Sequence, residues 1–289
     1  MELLTENWDL DNDAYVETTG IRSDTKSNFE LGIIHHKGLF ENKVDFKLAE
    51  EFYRKGVEDM DASFSMNNLG FLYDDQDKPD LAEKWYLKAI EKGNSSAMRN
   101  LGFLYNEQGK LDLTEKWYLK AAEKGNSAAM NGLGFLYKNQ DKLDLAEKWY
   151  LTATEKGNSS AMNNLGCLYN DQDKPDLAEK WYLTAAEKGN SMAMYNLGRL
   201  YDDQDKLDLA EKWYLKAAEK GDFLAVDTLG LLYNDQEILK KHILKFVSIT
   251  KELEEFKEKY AELYYSPFPG PGYSDAKENF AILAKRKFV

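Results

Sequence analysis

Few side chains in this sequence could do chemistry, and their spacing argues against each set. His35 and His36 are adjacent, and His242 stands far away. Two metal-binding histidines on one helix face need i, i+4 spacing. Adjacent histidines in a long polar turn instead point to exposed rings. Cys167 is the single cysteine. A nucleophilic thiol needs a neighbour that lowers its pKa, and the pattern places no histidine beside it. The runs Asp74-Asp75-Gln76-Asp77 and Asp171-Gln172-Asp173 offer the hard oxygen ligands that calcium prefers. An EF-hand loop, however, takes roughly twelve residues with a central Gly and a closing Glu, so these runs read as solvated turns. Gly270-x-Gly272 lies among prolines and follows no strand, unlike a phosphate-binding loop. The expectation is no catalytic set, no cofactor and no metal.

The elements that would carry these residues follow from a repeat. Gly93, Gly125, Gly157, Gly189 and Gly221 each close the phrase Glu-Lys-Gly, at intervals of 32 residues. Trp85, Trp117, Trp149, Trp181 and Trp213 keep the same phase. Leu-Gly recurs from Leu69-Gly70 to Leu229-Gly230. A fixed period in this range marks a stacked repeat protein. Within one unit, Met98, Leu101, Gly102 and Tyr105 fall on one helix face, and Leu113, Trp117, Tyr118, Ala121 and Ala122 on another. The polar run Asn106 to Lys110 makes a short turn between two antiparallel helices. Gly inside a helix costs ~1 kcal/mol relative to Ala, so Gly102 implies a close helix contact. Gly125 suits the left-handed position past a helix end. Asn126 or Ser127 suits the next N-cap, and Pro79 and Pro175 suit a helix start. The tryptophans read as core between neighbouring repeats.

The string Met-x-x-Leu-Gly-x-x-Tyr, followed by Ala-x-x-x-Tyr-x-x-Ala (Ala82, Tyr86 and Ala89 in one copy), resembles the tetratricopeptide repeat, of about 34 residues. Met replaces that family's leading Trp, Gly replaces its closing Pro, and the turn is shorter. The phrase from Ala210 to Gly221 is closer to the Sel-one-like subfamily. The resemblance covers roughly Phe29 to Asp235. It implies an all-α, right-handed superhelical solenoid of antiparallel helix pairs, serving as a scaffold for partners that the fold does not name.

Residues 1–27 read as a polar leader. Residues 28–236 hold the repeats, beginning with a divergent copy from Phe29 to Met60 whose turn is longer than the rest. Residues 237–289 read as a C-terminal capping helix, a Pro/Gly turn and a short terminal helix, since a solenoid end must hide its last apolar face. The chain is 43% hydrophobic with net charge −13. That balance argues against nucleic acid or an anionic membrane as partner. No apolar run reaches spanning length, and the N-terminus lacks the features of a secretory signal. A cytoplasmic protein is expected.

If Met98, Leu101 and Tyr105 point inward, then Ser96, Arg99, Asn100, Phe103, Asn106 and Glu107 point away from the core. The resemblance implies that this face is the concave one. Three rows run along it: Asn68, Asn100, Asn164 and Asn196; Phe71, Phe103, Phe135, Cys167 and Arg199; and Asn67, Arg99, Asn131, Asn163 and Tyr195. Amides can donate to and accept from a peptide backbone, and apolar residues in a row on an exposed face need a reason. The expected function is a non-enzymatic scaffold or adaptor. Its groove would take a protein or extended peptide of basic character, matching an acidic rim of Asp74, Asp75, Glu107, Asp171, Asp202, Asp203 and Asp235. Two alternatives stand beside it: a dedicated inhibitor or immunity-type protein clasping one folded partner, and an enzyme with its site in residues 237–289.

Overall fold

The computed structural model describes residues 27–38, 44–58 and 62–232. They form thirteen helices and, among the described residues, no strand. The helices are α1 (Asn28–His36), α2 (Phe46–Gly56), α3 (Ala62–Asp74), α4 (Pro79–Glu91), α5 (Ser95–Glu107), α6 (Leu111–Glu123), α7 (Ser127–Asn139), α8 (Leu143–Glu155), α9 (Ser159–Asp171), α10 (Pro175–Glu187), α11 (Ser191–Asp202), α12 (Leu207–Glu219) and α13 (Phe223–Leu232). The chain divides into two compact units, 1–164 and 165–289, with the division inside α9. In the first, α1/α2, α3/α4, α5/α6 and α7/α8 are hairpins, and each hairpin packs on the next. In the second, α11 pairs with α12 and packs on α10, and α13 packs on α12. The expected leader and C-terminal cap lie outside the described residues.

Local sequence dictates these ends. Asn94, Asn126 and Asn190 are N-caps whose side chains accept from Ala97, Ala129 and Ala193 N–H. Asparagine, not the following serine, is therefore the cap. Pro79 and Pro175 open α4 and α10, where the missing N–H costs nothing. Gly93 stands at φ 83°. Its N–H reaches Ile90 O at 2.8 Å, and Asn94 N–H reaches Ala89 O at 3.2 Å. This is the Schellman closure. Four first helices, α3, α7, α9 and α11, end the same way without glycine. Asp77, Asp141, Asp173 and Asp205 have φ of 55°, 58°, 57° and 57°, and Gly109 stands in their place at 69°. Lys142 N–H then reaches Tyr137 O at 2.9 Å. Asp77 and Asp173 are exposed turn residues, as expected, and their left-handed backbone also sets the turn geometry. Asp is among the few L-residues that enter this region readily.

The Leu-Gly glycine earns its place by close approach. A Cβ on Gly102 would lie 2.6 Å from Tyr118 Cδ1 in α6. On Gly70, Gly134, Gly166 and Gly198 it would run into Tyr86, Tyr150, Tyr182 and Tyr214 in the same way. Those rings are the buried centre of each pair, with Leu69, Leu101, Leu133 and Leu197 packed at full burial. The tryptophans sit further out. Trp85 is buried, but Trp117, Trp149, Trp181 and Trp213 are only partly covered. Lysine ammonium groups lie over four of the five: Lys88 over Trp85 at 4.1 Å, Lys120 over Trp117 at 4.5 Å, Lys180 over Trp181 at 5.5 Å and Lys216 over Trp213 at 4.2 Å. The expectation that Trp forms the inter-repeat core is thus revised. Tyrosine fills the centre, and Trp under lysine covers the outer edge.

Successive pairs are also joined by a polar bond. Tyr137 Oη in α7 donates to Glu115 Oε1 in α6 at 2.7 Å, and Tyr201 in α11 donates to Glu179 in α10 at 2.6 Å. Partial burial and the carboxylate together push both hydroxyls up to about 12. They remain donors at every physiological pH.

Gly134→Leu is expected to destabilise the protein by about 1–3 kcal/mol or more, because a packed ring must move. Asp141→Leu should cost about 1 kcal/mol through its left-handed backbone, and Asp141→Gly should stay within ~0.5 kcal/mol of wild type. Urea midpoints of the three variants check this. Equal shifts for Gly134→Leu and Asp141→Gly would refute the close-contact account.

Candidate functional site: the first-helix face

The candidate site is built from the first helices, whose inward faces are held by the Gly–Tyr contact. That contact sets which residues are left for the opposite face, and the three rows separate into distinct roles. Asn67 is 7% exposed and Asn163 is 3% exposed; Ser96 is buried as well. The expectation that these three point away from the core is therefore corrected. They face the seam between neighbouring helices.

In the first unit the asparagines bond to one another. Asn100 Nδ2 donates to Asn67 Oδ1 at 3.0 Å, joining α5 to α3. Asn164 Nδ2 donates to Asn131 Oδ1 at 2.9 Å, joining α9 to α7. Within α3, Asn67 Nδ2 donates to Asn68 Oδ1 at 3.2 Å, and Asn68 Nδ2 donates to Tyr53 Oη at 3.5 Å. Part of the amide capacity is thus spent on a ladder that ties repeats together. Asn100→Ala would leave the buried Asn67 carbonyl without its donor, so the ladder residues are structural as well as surface groups.

The aromatic row is more open. Phe103 is 41% exposed and Phe135 is 51% exposed. Phe71 is half-covered by the His36 ring at 5.3 Å and by the Lys37 ammonium at 4.5 Å. Arg99 donates from Nη1 to Asn100 Oδ1 at 2.9 Å and lies over Phe103 at 5.8 Å. In the second unit, Asn196 Nδ2 lies 3.5 Å from Cys167 Sγ, Tyr195 packs on Tyr214 at 5.6 Å between centroids, and Arg199 is exposed.

His36 departs furthest from expectation. It belongs to the last turn of α1, not to a polar loop, and is only 3% exposed. Its Nε2 lies 2.9 Å from Asp75 Oδ2 on the neighbouring pair, and its Nδ1 lies 3.4 Å from Tyr53 Oη. Burial lowers its pKa against the opposing pull of Asp75, and Lys37 adds to the lowering. His35 stacks on Phe52 at 5.4 Å. The sequence did carry the signal: His36 follows Gly32 by four residues, as Asp74 follows Gly70. That places it on a helix. The cluster docks the first hairpin on the second. Among the described residues no group of three or more His, Cys, Asp or Glu could hold a metal.

The rim carries strained charge. Burial raises the Asp74 carboxyl to about 6, and Glu107, Asp75 and Asp77 add like-charge repulsion. The folded chain therefore binds this proton more tightly than the unfolded chain, whose Asp titrates near ~4. The resulting stability is present below pH ~4 and is lost as pH rises through about 6. Asp74→Asn is expected to raise stability at pH 7.5 by on the order of 1 kcal/mol after solvent screening. The gain should shrink towards pH 4.5. Urea titrations at both pH values test it, and an equal gain at both would refute the assignment.

Comparison with known proteins agrees with this geometry. Models described as Sel1 repeat match residues 25–59, 95–126 and 127–158. Models described as Tetratricopeptide repeat match residues 65–93 and 163–225. No curated protein matches the chain significantly. Among solved structures, a Sel1 repeat protein from Oxalobacter formigenes is similar at 26% identity and TM-score 0.57, over 74% of this chain and 96% of that one. Pseudomonas aeruginosa pilF is similar at 18% identity and TM-score 0.54, over 75% of this chain and 96% of that one. At 16% identity and TM-score 0.50, the Cut9-Hcn1 structure shares the fold over 67% of this chain and 39% of that one. Repeat models spanning the helix pairs, together with these neighbours, identify the chain as a tetratricopeptide-like repeat protein close to the Sel1-like subfamily.

Proposed function

We propose that the chain is an interaction scaffold whose first-helix face binds an extended segment of a partner protein. Repeats of these families are generally protein–protein interaction modules. The observation that carries the reading is the pair Phe103 and Phe135, exposed in register on neighbouring first helices beside an amide ladder. Exposed aromatic rings supply contact area at low entropic cost, while amides at the edge hydrogen-bond an extended backbone. The rim of Asp74, Asp75 and Glu107 favours basic character at one end of that segment. Arg99 and Lys138 favour acidic character elsewhere on the face of the first unit. Charge complementarity of this kind speeds association and makes it salt-sensitive.

A photo-crosslinking amino acid at position 103 or 135 is expected to capture the partner, and the same group at Lys148 on α8 is not. Phe103→Ala with Phe135→Ala should weaken the captured partner by about tenfold or more. The urea midpoint should move less than for Gly134→Leu, since both rings are about half exposed. Capture at position 148 alone, or affinity unchanged by the double substitution, would refute the groove. A partner that binds only as an intact fold, with no fragment active, would replace the extended segment by a clasped protein.

A further inference from the structure

The amide ladder of the first unit has one break. Between α3 and α5 the bond is Asn100 to Asn67, and between α7 and α9 it is Asn164 to Asn131. Between α5 and α7 the same two positions hold Arg99 and Gly132. Gly132 brings no amide. Arg99 turns instead to Asn100 on its own helix, spending one of the five guanidinium donors. Gly132 also borders the Tyr118 ring: a Cβ there would lie 2.9 Å from Tyr118 Cε2, while Gly102 presses the opposite edge. Beneath that ring α6 differs once more, with buried Thr114 where Ala82, Ala146, Ala178 and Ala210 stand in the other regular repeats. Three departures from the repeat thus meet at one junction. Gly132 there lies with its backbone against the Tyr118 ring and carries no amide. Arg99 stands beside it, and the exposed Phe103 and Phe135 lie one turn further along the two helices.

We infer that this junction, centred on Arg99, is a specificity subsite for a partner segment that carries a carboxylate side chain next to a large apolar one. The inference rests on the groove reading above. A carboxylate matches the remaining edge of the guanidinium, which favours bidentate pairing. The apolar neighbour covers the two phenylalanine rings. Charge then orders the segment. Glu107 is eight residues beyond Arg99 on α5, about 12 Å along the helix, and Asp74 feels its charge directly. The bound segment therefore presents its carboxylate to Arg99, its apolar residue over the rings, and its cation towards Asp74 and Glu107.

The test is selection of a displayed library of random peptides, about ten residues long, on the full chain. The same library is selected on Arg99→Gln, on Arg99→Asn with Gly132→Asn (which restores the ladder), and on Phe103→Ala with Phe135→Ala. Wild-type winners are expected to share Asp or Glu beside Phe, Leu, Ile or Trp. A synthetic winner should lose about tenfold in affinity when its acidic residue becomes the amide, and equally on Arg99→Gln. The two changes together should cost no more than either alone, the mark of a direct pair. Arg99→Gln keeps the surrounding packing, so its result stands even if the repaired ladder folds poorly. Winners without an acidic position, or a winner unmoved by Arg99→Gln, overturn the subsite and leave the groove standing. Winners indifferent to loss of both phenylalanines overturn the groove itself. A library with no winners on wild type overturns both.

Discussion

Each helix pair depends on one contact: a glycine in the first helix laid against the face of a tyrosine in the second. Gly102 and Tyr118 make it at a separation that leaves no room for a Cβ. The glycine lowers helix propensity, and the chain accepts that loss because a buried ring gains more. Fully burying a large apolar side chain contributes about 1.5–3 kcal/mol, against ~1 kcal/mol for glycine in a helix. The contact also fixes the roll of the first helix about its own axis. Once Leu101 and Gly102 face the tyrosine, Phe103 has nowhere to go but the opposite face, and it is exposed.

That division of labour separates stability from recognition. The inner positions scarcely vary from repeat to repeat, because each must fill the same space. Seam positions are intermediate. Asn67 and Asn163 are buried and cannot be left without hydrogen bonds, so they accept or donate along the ladder. The outermost positions change as well, and there the sequence moves from Phe103 and Phe135 to Cys167 and Arg199. A stacked array tolerates this because each repeat contacts only its neighbours, and a substitution on one face is not transmitted through a common core.

Charge is arranged around the same scaffold. The net charge of −13 is not spread evenly. Lysines lie flat over Tyr73, Tyr105, Tyr137 and Tyr201 near the turns and over Trp85, Trp117 and Trp213 on the second helices. The tyrosines and Trp85 are buried, and Trp117 and Trp213 are partly covered. Carboxylates do the inter-repeat work, as Glu50, Glu115 and Glu179 each accept from a tyrosine of the following pair. The first hairpin has a longer connection and a different lock, in which the buried His36 meets Asp75 and Tyr53.

The sequence by itself determined the fold class, the helix pairs and their ends. Those are local matters, and a period of 32 residues repeats each cap, turn and apolar stripe until chance is excluded. The close approach at the Leu-Gly glycines was legible for the same reason. What tertiary structure decided was the fate of side chains at the seam. Asn67 and Asn100 look alike in the sequence, yet one is buried and the other half-exposed, because a neighbouring helix lies over the first. His36 looked like a turn residue because the pattern of its repeat is stretched, and only the arrival of Asp75 from the next pair shows why it is buried. The left-handed aspartates could have been read from Gly109 standing among them. The break at Arg99 and Gly132 could not, because two substitutions 33 positions apart in the chain become one feature only when α5 and α7 are laid side by side.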